Sequence, residues 1–315
     1  MRKLRLKIAM EQFRQARRIH GGLLKFCVAL LGVKLSRVKI PSRPLRLWMY
    51  RRLYGKKYPP GLDENEADRP LWAYPSLNAL FTRGLKPESR PITAGTPQFL
   101  SPCDGTVQEV GRVAGGKIIT LKGTEYTLGS LLPSIDPRPL EGGHFVVVFL
   151  SPIDCHRVFS PQEGHLEEAI HVPGYRLLVH PPYQRAEFPV YTLNERVILR
   201  FSTGLGPCLL VMIAGWGVGN ITFPLAPAFR PRSKIAAVQT WTPPVRVKRG
   251  EWIATFELGS TVVLFTPPGE NVQTLVSSNM EVKYGQPVLT YSDRKPGIRG
   301  GESRTGNEWS PTDPS

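Results

Sequence analysis

Three short stretches hold the residue types from which a reaction could be built. The last of them is Phe256-Glu257-Leu258-Gly259-Ser260-Thr261-Val262-Val263-Leu264-Phe265. Its apolar and β-branched residues predict a buried strand. A Gly-Ser pair inside such a strand reads as a bulge or tight bend that holds a hydroxyl against the preceding peptide carbonyl. A serine so held can attack that carbonyl, so Gly259-Ser260 is a candidate self-cleavage site. A β-bulge without chemistry is the plainer alternative. The second stretch runs Leu150-Ser151-Pro152-Ile153-Asp154-Cys155-His156-Arg157-Val158-Phe159. A strand over His144–Leu150 ends there and delivers Asp154, Cys155, His156 and Arg157 at its mouth. Histidine is the side chain most easily tuned for proton transfer near neutral pH, although one at a strand end is also an ordinary structural residue. Cys155 with Cys103 could suggest a thiol or metal site. Neighbours in an extended chain face opposite ways, however, and metal-ligand spacing is absent, so no metal is expected. The third stretch is Ser101-Pro102-Cys103-Asp104-Gly105-Thr106-Val107. It is a turn signal leading into a strand, with an acid that can orient a base or polarise a hydroxyl.

The elements that must position these residues are mostly strands. Candidates are Thr106–Val110, Lys117–Leu121, His144–Leu150, Arg196–Ser202, Pro207–Ala214, Trp252–Phe256, Thr261–Phe265 and Val288–Tyr291, all apolar, β-branched and separated by Gly/Pro/Asp turns. Residues 98–292 therefore predict a β-rich catalytic domain. A Pro-rich approach over 58–97 precedes it, with a short helix around Ser76–Phe81. Residues 293–315 are polar, rich in Gly and Pro, and read as a disordered tail. The fold class expected is α+β, mostly β: a compact mixed or antiparallel β core preceded by N-terminal amphipathic helices.

The charge is not spread along the chain. Of 41 Lys/Arg and 25 Asp/Glu in total, residues 1–57 hold 17 basic residues and one acid, Glu11. The remainder is neutral, so the net charge of +16 belongs to this segment. It seeks an anionic surface, either phospholipid or nucleic acid. Its basic residues are interleaved with apolar ones, and the apolar run Gly22–Val33 is too short to span a bilayer. The pattern suits helices lying in a membrane interface. A solvated basic arm and a signal sequence are the alternatives, the latter lacking a small-x-small cleavage site. Cys27, Cys103, Cys155 and Cys208 are far apart, which favours reduced thiols and the cytoplasmic face.

Taken together and in order, the motifs resemble those of the phosphatidylserine decarboxylase family from roughly residue 70 to 292. The resemblance rests on Asn78-Ala79-Leu80-Phe81-Thr82-Arg83-Gly84-Leu85-Lys86 with Arg90-Pro91-Ile92, and on Ser101–Gly105 and Cys155-His156-Arg157-Val158. It continues through Val172-Pro173-Gly174, Asn194-Glu195-Arg196-Val197, Gly206-Pro207 and Val218-Gly219 to Leu258-Gly259-Ser260-Thr261 and Gly285-Gln286-Pro287. It implies a proenzyme that cuts itself between Gly259 and Ser260, giving a larger chain 1–259 and a smaller chain 260–315. Ser260 then becomes a covalent pyruvoyl group, the cofactor. That ketone forms a Schiff base with the substrate amine and serves as the electron sink that loss of CO2 requires. The resemblance also implies phosphatidylserine as substrate, peripheral attachment to the cell membrane, the two cleaved chains as each other's partners, and room for a homodimer. It makes Ser260 the nucleophile, Asp104 the acid of a relay and His156 the histidine associated with decarboxylation. The family's second histidine, associated with activating the serine, corresponds to Phe159. Phenylalanine cannot take a proton. His156 then serves both steps, or another histidine such as His144 or His165 reaches the site, or the protein stays uncleaved as an inactive lipid-binding paralogue. His20, His171 and His180 read as surface or structural.

Overall fold

The strand His144–Leu150 is apolar at six of its seven positions, so both of its faces have to be covered. In the computed structural model of the chain they are. It describes residues 2–57, 61–92, 97–119, 124–180, 184, 187–217, 220–231, 234–257, 259–269 and 271–291. The expected tail 293–315, Leu258 and the Val218-Gly219 motif lie outside the described residues.

Helices α1 (Arg2–His20), α2 (Leu23–Leu35), α3 (Arg43–Lys57) and α4 (Leu77–Phe81) open the chain. Strands β1 (Gln98–Leu100), β2 (Gly105–Arg112), β3 (Lys117–Ile119), β4 (Glu125–Thr127), β5 (His144–Leu150), β6 (Arg157–Phe159), β7 (Gly164–Val172) and β8 (Arg196–Thr203) follow. After them come β9 (Gly206–Ala214), β10 (Ile221–Thr222), β11 (Ala237–Val247), β12 (Trp252–Phe256), β13 (Ser260–Thr266), β14 (Val272–Thr274), β15 (Glu281–Val282) and β16 (Pro287–Tyr291). The main sheet is antiparallel, in the order β11-β7-β8-β9-β13-β5-β2-β15. Smaller sheets β10-β12-β6 and β1-β16-β14 and the pair β3-β4 accompany it.

Alternation along the central strands builds two cores, because successive side chains leave opposite faces of a sheet. Val148, Leu150, Met212, Ala214, Val262 and Leu264 pack on one face with Val158, Ile253 and Phe256 of the β10-β12-β6 sheet. Val147, Val211, Ile213, Val263 and Phe265 pack on the other, with Leu131, Leu177 and Tyr191. The fold is thus α+β and mostly β, as expected. The expected strands occur with shifted ends, Lys117–Leu121 being described only to Ile119.

Two long strands were not foreseen. β7 carries Glu167-Glu168 and only a weak apolar alternation. β11 carries Pro243-Pro244. The proline pair fits because β11 is an edge strand and its register with β7 shifts between Thr240 and Val245, where ladder N–H groups are not needed.

The N-terminal helices lie against this body. Ile8 of α1 is fully buried in the second core, and Gln15 Oε1 accepts from the Leu178 N–H at 3.0 Å. Leu4, Leu6, Met10 and Phe13 of α1 and Leu24, Val28, Leu31 and Leu35 of α2 remain exposed. No described helix is long and apolar enough to cross a membrane. α3 and α4 share a third core, in which Tyr50, Tyr74, Leu80 and Phe81 are buried.

Candidate active site

Ser260 opens β13, the strand at the middle of the main sheet. It pairs with Leu150 on β5 and with Ala214 on β9. A strand with partners on both sides fixes its first residue tightly. Ser260 is fully buried, and its Oγ has no hydrogen-bond partner among the described residues. Burying a hydroxyl without a partner costs roughly 1–3 kcal/mol, and the neighbouring Thr261 Oγ1 is likewise buried without a partner among the described residues. By alternation Ser260 shares the face of Val262 and Leu264, which packs against the small sheet. The segment from β12 into β13 crosses from the small sheet to the main one, and the Gly259 carbonyl lies at that crossing. The Gly259 oxygen accepts from the Gly215 N–H at 3.2 Å.

His156 immediately precedes β6 of the small sheet. Its carbonyl accepts from the Phe256 N–H at 2.9 Å, four residues ahead of Ser260. The ring is fully buried against Phe81, with centroids 3.7 Å apart. Burial pushes its pKa down to about 3, and the nearby Arg83 guanidinium adds to this. The ring is therefore neutral at pH 7. Its Nδ1 faces the Asp154 carbonyl at 3.0 Å. A carbonyl can only accept, so Nδ1 carries the hydrogen and Nε2 keeps its lone pair. That Nε2 is buried and has no partner among the described residues. The turn ahead of it is clamped by Arg83, which donates to the carbonyls of Ile153 (2.7 Å) and Asp154 (3.3 Å). The Asp154 carboxylate accepts from the Ser151 N–H at 2.6 Å. Burial raises its pKa to about 6, and the Asp104 charge contributes.

Asp104 sits one residue before β2, in the turn the sequence predicts. Gly105 is required there: its φ is +154°, and a Cβ would fall 2.3 Å from the Phe149 carbonyl oxygen. The Asp104 oxygens face a different partner from the one a relay needs. Arg90 binds them from Nη2 at 2.6 Å and from Nε at 3.1 Å, and the Tyr284 N–H donates at 2.8 Å. Arg90 also reaches Glu66 through two 2.8 Å bonds, lowering the Glu66 pKa. Phe159 stacks on the Tyr284 ring, centroids 3.6 Å apart, and its N–H donates to Pro102 at 2.8 Å. Residue 159 is thus next to the Asp104 turn, and its ring fills apolar space with Cys155 and Tyr284.

No hydrogen bond joins Asp104, His156 and Ser260. The other histidines do not stand in for the missing one. His144 pairs with Thr266 at the far end of β13, six residues from Ser260, or roughly 20 Å along the strand. His165 pairs with Ser202 and Arg246 on outer strands. His180 meets the edge of Phe149 at 4.9 Å, and Phe149 pairs with Thr261, so it lies on the face opposite Ser260. Sequence reading had no role for Arg83 or Arg90 beyond a motif, nor for the Tyr284 N–H or Gly215. A buried arginine shows in a sequence only as an arginine.

The family comparison decides what this arrangement belongs to. The model of the phosphatidylserine decarboxylase family matches residues 77–290. The chain belongs to the phosphatidylserine decarboxylase family. It is 37% identical over 231 residues to the phosphatidylserine decarboxylase proenzyme of Halorhodospira halophila, covering 72% of this chain and 79% of that one. It is 34% identical over 218 residues to the proenzyme of Bordetella avium, covering 68% and 74%. It is 31% identical over 272 residues to that of Nitrosococcus oceani, covering 79% and 88%. Ser260, Asp104, His156 and Phe159 all fall inside the matched span.

Proposed function

We propose that this chain decarboxylates phosphatidylserine to phosphatidylethanolamine, after cutting itself between Gly259 and Ser260. The observation that carries the reading is the buried Ser260 Oγ, without a partner among the described residues, in the residue directly after a carbonyl that already accepts a hydrogen bond. In the first step Oγ bonds to the Gly259 carbonyl carbon and the Gly259–Ser260 C–N bond breaks. The hydroxyl proton passes to the released nitrogen, leaving an ester. Loss of the Ser260 Cα proton then expels the Gly259 carboxylate and leaves a dehydroalanine. Water converts this to a ketone and ammonia.

His156 is the group available to move these protons. Nε2 accepts while neutral, and the low pKa imposed by burial means that it passes the proton on rather than keeping it. The same nitrogen is available for the proton transfers of decarboxylation. The resulting pyruvoyl group would be residue 260 itself, supplying an electron sink for the pair left by CO2. The surroundings of Ser260 fit such a group, since Ser260 Oγ and His156 Nε2 are both buried and without a hydrogen-bond partner among the described residues. Asp104, neutralised by Arg90, holds the turn instead of acting through a histidine.

Exposed leucines on α2 and the basic charge of residues 1–57 support peripheral binding to an anionic membrane on its cytoplasmic face. The cleaved chains would stay together as partners. Denaturing electrophoresis with intact mass tests the reading: fragments 1–259 and 260–315 are expected, and Ser260→Ala should remain whole and inactive toward vesicles containing phosphatidylserine. A second reading is favoured by Phe159 and by the Arg90 pairing of Asp104, which together leave no acid-histidine couple at Ser260 among the described residues. In that reading the chain stays uncleaved and binds lipid without converting it. A single full-length species with no phosphatidylethanolamine produced would establish it.

A further inference from the structure

We infer that the backbone N–H of Gly215 is the oxyanion donor of self-cleavage, and that residue 215 has to be glycine so that this N–H can lie against the scissile carbonyl. The inference rests on the self-cleavage reading above. Its basis is the Gly215 N–H···O=C Gly259 bond of 3.2 Å, made to the very carbonyl that Ser260 Oγ would attack. β9 ends at Ala214, which pairs with Ser260, so Gly215 is the next residue beyond the ladder.

Three hydrogen bonds of the Asn194 side chain fix its geometry. The Asn194 side chain donates to the Ala214 carbonyl at 3.0 Å and to the Leu177 carbonyl at 2.8 Å, and its oxygen accepts from the Leu177 N–H at 2.9 Å. This fully buried amide ties the end of β9 to the segment carrying Val179. Space at Gly215 is closed as well. A Cβ there would lie 2.9 Å from Val179 Cγ2 and 3.0 Å from the Gly259 oxygen itself. Any side chain would push the donor off the acceptor.

The chemistry requires such a donor. As Oγ bonds to the Gly259 carbon, the C=O π pair moves onto oxygen. Charge develops there until the C–N bond breaks and the pair returns to re-form C=O. A neutral amide hydrogen bond shortens and strengthens as its acceptor becomes anionic. In a site without water, a donor already in place needs no reorganisation. Removing one such donor typically slows an acyl-transfer step by about 10²–10³-fold.

The test replaces residue 215 by glycolic acid through nonsense suppression in cell-free translation, which exchanges the N–H for an ester oxygen and adds no atom. Cleavage is followed in the full chain as the appearance of fragment 260–315 on denaturing gels and by mass. The expected result is a half-time lengthened by about 10²-fold or more against wild type. An unchanged half-time in a chain whose wild type cleaves overturns the inference. Failure of the wild type to cleave overturns the self-cleavage reading instead. Should the ester chain fail to fold, Gly215→Ala combined with Val179→Ala decides. The second change removes the packing collision and leaves the collision with the Gly259 oxygen. A folded double variant, judged by circular dichroism, should cleave slowly, and wild-type cleavage in it overturns the inference.

Discussion

At the residue scale, His156 carries the heaviest demand. With Phe159 unable to accept a proton, and His144, His165 and His180 all placed elsewhere, the proposed chemistry would ask one imidazole nitrogen to serve both stages. His156→Asn tests this, because the asparagine amide keeps a donor toward the Asp154 carbonyl and loses Nε2. Self-cleavage should slow by about 10²–10⁴-fold, read as the half-time of fragment appearance. Decarboxylation should fall with it. The pH dependence of stability carries a second signature. His156 has a folded pKa near 3, below the ordinary 6.5, so the unfolded chain binds the extra proton between those values. Its contribution is present above pH 6.5 and is lost as pH falls toward 3. Asp154, raised from 3.8 to about 6, acts in the opposite sense. Its protonated form is kept in the fold, so stability falls as pH rises from 3.8 through 6. The two slopes oppose one another between pH 4 and 6. Asp154→Asn should therefore raise stability at pH 7.5, by up to about 3 kcal/mol, and should steepen the loss of stability on acidification. Urea midpoints at several pH values measure both.

At the element scale, the N-terminal helices join an exposed apolar and basic surface to the segment that carries Ser260. Arg37, just beyond α2, is ion-paired to Glu257 at 2.6 Å, three residues ahead of Ser260. The Ser36 carbonyl accepts from the Asn78 N–H at 2.8 Å, and α4 runs on to Phe81 against His156. Leu24 of α2 is 80% exposed and Leu31 is 54% exposed. Glutamates at both positions should weaken flotation with anionic vesicles by tenfold or more, since each buried leucine is worth about 1.5–3 kcal/mol. The circular dichroism spectrum should not change. Raising the salt concentration should weaken wild-type binding too, because the remainder of the attraction is Coulombic. The short α4 was legible from its sequence, and Ser76 caps it by accepting from the Ala79 N–H at 3.2 Å. The central strands were legible because most of their positions are apolar, six of seven in β5. β7 and β11 were not, since an edge or outer strand needs one covered face at most and tolerates Glu-Glu or Pro-Pro. The Gly-Ser pair and the Asp-Gly turn were readable as chemistry. The pairing of Asp104 with Arg90, 14 residues away in sequence, was not, because a sequence does not say which of many arginines a fold will bury.

At the scale of the whole molecule, the proposed cut falls between two sheets and leaves the smaller chain fully interwoven. β13 remains hydrogen-bonded to β5 and β9, β15 to β2, and β16 to β1. Gel filtration without denaturant should therefore show chains 1–259 and 260–315 eluting together. They should separate only in denaturant; separation under native conditions would contradict the sheet order. The position of β13 bears also on the history of each molecule. Before the cut, the middle strand of the sheet is tethered to its neighbours, and refolding is an event within one chain. After it, the same strand has to find its slot from solution, and recovery becomes a second-order encounter that dilution slows. The Ser260→Ala chain should regain its structure after urea at a rate independent of concentration, while the matured pair should not. Maturation would thus make folding a single-use process, with the information for reassembly split between two molecules.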